Sequence, residues 1–234
     1  MAITVPPQDG SFLTNAPEVE LVRLARDFFA RDTALVARDL LGVLLVHETP
    51  AGRLTGRIVE TEAYYGPGDE ASHAAAGPTA RSGIMFGPPG IAYVYLNYGI
   101  HNLLNVVTEP ERSPGAVLIR AVEPLEGIGV MGANRGNTFL VDLANGPGKL
   151  TKAMGITLKD NGRDLTDGSL TLRRGAPQSF TIATSRRVGI SRGTEAELRF
   201  FVEGSEFVSR GSGKAKSQQV NKSTYVPDYR RRRG

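Results

Sequence analysis

The sequence predicts an α+β fold: a single mixed domain around a curved, mainly antiparallel β-sheet with a protruding β-hairpin. Three observations carry this reading. Segments with the two-residue period of strands outnumber those with helical period, and the two kinds do not alternate regularly. The stretch YVYLNYGIHN, residues 93–102, reads as a strand, a tight turn at Asn97-Tyr98-Gly99 and a second strand. No linker-like change of composition and no internal repeat divides the body of the 234-residue chain. Residues 1–16, polar and rich in Pro, are set apart as an irregular N-terminal segment. Residues 17–208 form the domain, and 209–234 a basic, flexible C-terminal tail.

The elements follow in chain order. From Glu18, the apolar residues Leu21, Leu24, Ala25 and Phe28 recur at helical spacing. Asp32 can cap a second helix through Leu41, which Gly42 ends. VLLVHE (43–48) is a short apolar strand, Thr49-Pro50-Ala51-Gly52 a turn, and RLTGRIVETEAYY (53–65) the next strand. Residues 66–90 are rich in Gly, Pro and Ala without a sustained period. An irregular loop of that length inside one domain points to function. The hairpin follows, with its second strand running to about Thr108. GAVLIRAVEP (115–124) is a buried strand, and Gly146-Pro147-Gly148 opens the helical stretch KLTKAMGI. SLTLRRG, SFTIATSRRVGI and LRFFVEGSEFVS supply further strands.

Composition narrows the classes of function. Forty per cent hydrophobic and 22% charged residues fit an ordinary soluble globular domain. No apolar run approaches the roughly 18 residues of a membrane span. The start, MAITVPPQDG, has neither a basic region nor an apolar stretch of secretory type. Cys is absent, which excludes disulfides, thiolate zinc sites and Cys nucleophiles and fits a reducing, cytoplasmic setting. His47, His73 and His101 are widely spaced, so no metal site is expected. GPPG and NGPGK lack the spacing of a phosphate-cradling GxxxxGKS loop, and no GxSxG elbow is present. Residues 209–234 hold eight Lys or Arg and one Asp, against +4 for the whole chain, so the body is net acidic. Such a tail can attract phosphates without reading sequence, or have no role.

Several residues could carry chemistry. Along RIVETEAYYG (57–66), Glu60, Glu62 and Tyr64 share one strand face, and Thr61, Ala63 and Tyr65 the other. The face is either a solvated one with incidental acids or a cleft wall where a Glu acts as general base beside Tyr64. His73 is either a surface loop residue or a partner for a pocket carboxylate, phosphate or water. Tyr93 and Tyr95 share one face of the hairpin's first strand, with Val94 and Leu96 facing the core. Asn105, inside LLNVV, needs partners for a buried amide or borders a pocket. Arg120, inside GAVLIRAVEP, must bridge a Glu or reach an anion. Tyr98 is the anomaly, because turn tips favour Gly, Asn, Asp, Pro and Ser over a large aromatic.

ETEAYYGPGDEASHA, then RSGIMFGPPGIAYVYLNYGIHNLLNVVT, then GAVLIRAVEPLEG and NGPGKL resemble the alkyladenine (3-methylpurine) DNA glycosylase family. The likeness covers about residues 20–208 and keeps several separated motifs in the family's order. The resemblance implies a monofunctional hydrolase of base-excision repair. Such an enzyme flips alkylated or deaminated purines (3-methyladenine, 7-methylguanine, hypoxanthine, ethenoadenine) out of duplex DNA and leaves an abasic site. By the same resemblance Glu62 is the general base, and Tyr64, His73 and Tyr95 wall the base pocket. Asn105 crowds the 2-amino group of normal guanine, Arg120 helps hold the flipped nucleotide, and Tyr98 fills the gap in the helix at the tip of a DNA-intercalating hairpin. No Lys stands among these site residues, so a lyase step through a Schiff base is not suggested. Damaged double-stranded DNA is the expected partner of a monomer that needs no cofactor or metal and meets the nucleoid in a bacterial-type cytoplasm. Two rival classes are a non-catalytic damage binder, which has no use for Glu62, and a hydrolase of free nucleosides, which has no use for an exposed Tyr98.

Overall fold

The computed structural model describes residues 21–210 and 221–225. Within these residues nine strands form one sheet: β1 (Leu44–Thr49), β2 (Gly52–Tyr65), β3 (Ala92–Asn97), β4 (His101–Thr108), β5 (Gly115–Glu126), β6 (Leu170–Arg173), β7 (Phe180–Ser185), β8 (Arg199–Val202) and β9 (Asn221–Tyr225). The longest path through it runs β3-β4-β5-β2-β8-β7-β9, and every described pairing is antiparallel.

β2 is the spine. One of its edges pairs with β5 from Thr55 to Tyr65. The other edge divides: Gly52–Arg57 pairs with β1, which leads to β6, whereas Glu60–Glu62 pairs with β8. The β2–β5 register also slips on either side of Glu60. Bulges of this kind bend a strand and re-aim its side chains. The sheet therefore curls at the point where the two carboxylates sit.

Among the described residues four α-helices close the core: α1 (Arg26–Phe29), α2 (Thr33–Asp39), α3 (Ile128–Arg135) and α4 (Pro147–Met154). α2 packs on β2 and β5, and α4 on β4 and β5 with α3 beside it. Val36, Leu40, Leu45, Ile58, Ile119 and Met131 are wholly buried between them. Asp32 caps α2 by accepting from the Leu35 amide at 3.0 Å, and it also accepts from the Tyr65 hydroxyl at 3.0 Å. The cap thereby ties the helix to the end of β2. Asp32→Ala is expected to destabilise the protein by about 1 kcal/mol, read as a lowered midpoint of chemical denaturation.

Three expectations need correction. The helix predicted from Glu18 is only Arg26–Phe29 among the described residues. Residues 22–24 instead run extended along β6: the Leu24 amide donates to Leu172 O at 2.9 Å and the Arg174 amide to Val22 O at 2.7 Å. Leu24 is buried by this pairing rather than by a helical stripe. Leu96 does not face the core but is exposed. β4 pairs with β5 only from Asn105 onward, so the distal half of the β3–β4 hairpin pairs with itself alone. Finally, SFTIATSRRVGI and LRFFVEGSEFVS are strands only over Phe180–Ser185 and Arg199–Val202.

The N-terminal segment 1–16 lies outside the described residues. Of the stretch expected as a tail, Ser209, Arg210 and Asn221–Tyr225 are described, and the last of these lies along β7 as β9. Among the described residues no helix is long and apolar enough to cross a membrane.

Candidate active site

The alternation of β2 holds as read. Thr61 donates from Oγ1 to Ala37 O of α2 at 2.7 Å, on the core side. On the other side Tyr64 donates from its hydroxyl to Glu62 Oε2 at 2.8 Å. The solvated-face alternative fails, because Glu60 and Glu62 are both 0% exposed. A buried carboxylate needs partners, and β5 provides the first of them. Arg120 donates from Nε to Glu60 Oε1 at 2.7 Å and from Nη1 to Glu62 Oε2 at 3.1 Å.

The two acids differ in the rest of their surroundings. Glu60 also accepts from Arg199 Nε at 2.7 Å, from the Ser209 amide at 2.6 Å and from Ser209 Oγ at 2.8 Å. Burial works to raise its pKa, but Arg120, Arg199 and these hydrogen bonds hold it below the ordinary carboxylate value. Among the described residues Glu62 accepts, besides Arg120 and Tyr64, only from the Val188 amide at 2.7 Å. For Glu62 burial outweighs those partners and raises the pKa. Two carboxylates on one strand face are thus driven apart, Glu60 downward by its donors and Glu62 upward by burial.

In front of Glu62 lies a cavity of about 360 Å3. Tyr64, His73, Tyr95, Tyr98, Asn105 and Arg120 all line it. Glu62 stands behind this lining, bonded to Tyr64 and Arg120. The His73 ring meets Tyr95 edge to face, with centroids 4.7 Å apart, and its Nδ1 pairs with the Tyr93 hydroxyl at 2.8 Å. Burial, and then the charge of Arg81, push the His73 pKa down to about 4, so this wall is neutral at pH 7. Burial raises the Tyr64 pKa well above its ordinary value, and the adjacent Glu62 raises it further. Tyr64 is therefore a fixed donor to Glu62. Asn105 is both things the sequence allowed: its Nδ2 donates across the hairpin to Tyr93 O at 3.1 Å, and its side chain borders the cavity.

Tyr98 is 85% exposed at the hairpin tip. Tyr98 and Gly99 both take positive φ, 49° and 72°, and the Ile100 amide donates back to Asn97 O at 3.1 Å. Positive φ at both central positions is the pattern of a primed turn, here within a three-residue loop because Asn97 pairs with His101. Tyr98 carries one of the two left-handed positions itself, at a cost of about 1–2 kcal/mol for a residue with a Cβ. Below the tip, α4 braces the hairpin. Thr151 Oγ1 donates to Asn102 O at 2.6 Å, and a Cβ on Gly148 would lie 2.9 Å from His101 Cγ.

The loop after β7 holds what the sequence reading overlooked. Arg187 grips both oxygens of Asp69 at 2.7 Å and sets its guanidinium 4.7 Å from the Tyr64 ring centroid. Arg187 does not line the cavity, so it backs the ring. Its neighbour Val188 supplies the amide to Glu62. The available signal was an Arg pair breaking an apolar strand pattern, together with an Asp in the long loop. Among the described residues no three His, Asp or Glu side chains converge in a way that could hold a metal ion.

A cavity walled by flat rings, with a buried carboxylate behind its lining, defines a class of site, one suited to a planar, electron-poor ligand. Comparison with known proteins narrows it. The profile of the methylpurine-DNA glycosylase family matches residues 27–206. A protein of Prosthecochloris aestuarii, provisionally named a 3-methyladenine DNA glycosylase, is 50% identical over 192 residues, 81% of this chain and 92% of its own length. Provisionally named 3-methyladenine DNA glycosylases of Chlorobium phaeobacteroides and an Anaeromyxobacter species are 49% and 48% identical over 196 residues each, 82% of this chain and 98% and 95% of theirs. The chain belongs to the methylpurine-DNA glycosylase family.

Proposed function

We propose that this chain is a monofunctional DNA glycosylase that releases 3-methyladenine and related damaged purines from duplex DNA by hydrolysis. The observation that carries the reading is the fully buried Glu62 behind an aromatic cavity whose rim bears an exposed Tyr98. Chemistry on a base requires taking it out of the stack, at a cost of a few kcal/mol. An apolar ring inserted from the minor groove offsets that cost by occupying the vacancy, and Tyr98 is the exposed ring at a hairpin tip. The extruded purine stacks between Tyr64 and Tyr95. Such stacking is worth about 1–3 kcal/mol per base and tolerates different bases.

An N-alkylated purine carries positive charge, which an electron-rich ring face attracts by roughly 1 kcal/mol. His73, held neutral, adds no positive charge against that attraction, although Arg120 on the lining and Arg81 over the Tyr95 ring do. Neutral lesions such as hypoxanthine or ethenoadenine gain less from the rings, so exclusion of guanine's 2-amino group by Asn105 matters more for them. In the bond-breaking step the C1′–N bond cleaves and its electron pair leaves with the base. The sugar then carries oxocarbenium character, as in glycoside hydrolysis. Glu62 stabilises that charge, and it takes a proton from the water whose oxygen bonds to C1′.

The test is an excision panel on duplex oligonucleotides carrying 3-methyladenine, 7-methylguanine, hypoxanthine or ethenoadenine, with free nucleosides in parallel. Free base and an alkali-labile abasic site are expected from at least the alkylated purines, with no strand cut before alkali. Turnover of nucleosides alone, or lesion binding without release, would replace this reading by one of its rivals.

A further inference from the structure

Glu60 and Arg199 have no part in the chemistry above, yet they are built into its centre. Glu60 is fully buried and takes four donors: Arg120 Nε, Arg199 Nε, and the amide and hydroxyl of Ser209. Arg199, on β8 directly across from Glu62, is fixed as tightly. Its Nη1 donates to Ser185 Oγ at 3.1 Å and its Nη2 to Ser209 O at 3.4 Å, and the guanidinium lies 4.6 Å from the Phe201 ring centroid. The result is two carboxylates and two guanidiniums in a buried site, with Arg120 shared between the acids and its Nη2 tied to Ser209 Oγ at 3.2 Å.

We infer that Glu60 and Arg199 are positioning residues: anchored on Ser209, they hold Arg120 in a bridging pose that leaves Glu62 a usable proton acceptor. The inference rests on the reading of Glu62 as general base. A carboxylate alone with a buried guanidinium is a poor base, because the full positive charge opposes its protonation. Glu60 takes up part of that charge, and its own negative charge acts on Glu62 in the same direction. Arg199 limits the effect by neutralising Glu60. The other groups facing Glu62 are Tyr64 on its own strand, Tyr95 on β3 and Arg187 on the loop after β7. None of these three bonds to Glu60.

Sign can therefore be separated from damage. Glu60→Gln removes a like charge and hands Arg120 to Glu62, so the Glu62 pKa falls. Arg199→Gln leaves Glu60 to rely on Arg120, so the Glu62 pKa rises. Two readouts follow these shifts: the 13C carboxyl titration of Glu62, and the acid limb of the single-turnover excision rate against pH. Expected shifts are about one pH unit toward acid for Glu60→Gln and toward alkali for Arg199→Gln. The double variant keeps the cluster neutral, and it is expected to shift toward acid even if Glu60→Gln alone does not fold. A Glu62 titration unmoved in the folded variants would overturn the inference and assign the pair to stability alone. A titration that moves while the rate limb stays fixed would leave the coupling standing and remove Glu62 as the base.

Discussion

Glu62→Gln is expected to slow base release by about 100- to 10,000-fold, the range for loss of a general base, while binding to lesion duplex persists. Glu62 lies behind the cavity lining, so its substitution leaves Tyr64, Tyr95 and the hairpin tip in place. The amide cannot take a proton from water, nor offset charge on the sugar. It also disturbs the local bonding: the two Glu62 oxygens accept from the Val188 amide on one side and from Tyr64 and Arg120 on the other, and an NH2 group must face one of them. A stability loss of about 1–3 kcal/mol is expected from that mismatch. The duplex-binding measurement and a thermal melt separate it from the chemical effect. Full turnover would remove Glu62 from the mechanism. Glu60 is a poor replacement, because it is saturated with donors and held as an anion.

The second large effect is at Tyr98, where Gly is the informative substitution. Gly takes φ 49° without the steric penalty a Cβ incurs, so Tyr98→Gly is expected to hold or slightly raise the melting temperature. Loss of the ring removes one stacking contact with the helix, about 1–3 kcal/mol. Lesion affinity and 2-aminopurine-reported extrusion are expected to fall roughly 10- to 100-fold on that basis. A variant that is as stable as the parent yet defective in extrusion identifies the left-handed Tyr as strain kept for function. Unchanged extrusion would show that the ring does not fill the helix.

What the sequence made legible follows physical rules. Strand alternation was enough to put Glu60, Glu62 and Tyr64 on one face, because side chains two apart share a face and the register slips at Glu60 do not break that pattern from Glu60 to Tyr64. A charge inside an apolar run was enough to require a partner for Arg120, a Glu or an anion, because an unpaired guanidinium is costly there; the bonds to Glu60 and Glu62 select the first. The turn at Asn97–Gly99 was visible in its residues, but which of them carry the positive φ was not. What could not be read depends on contacts between distant segments. The bond from Val188 to Glu62 and the grip of Arg187 on Asp69 join residues more than a hundred positions apart, through loops with no periodicity. The N-terminal stripe at Leu21, Leu24, Ala25 and Phe28 failed for the same reason, since pairing with β6 overrode local helical spacing. Helix α3 gave little signal because GIGVMGANRG is rich in Gly and buries only Met131.

The most direct measurement is a crystal structure of the Glu62→Gln variant bound to a duplex with an alkylated or ethenoadenine lesion. The expected result has the Tyr98 ring within the base stack, the lesion held between Tyr64 and Tyr95, and the residue 62 side chain within one water of C1′. A lesion still stacked in the helix with Tyr98 in solvent, or a C1′ out of reach of residue 62, would contradict it.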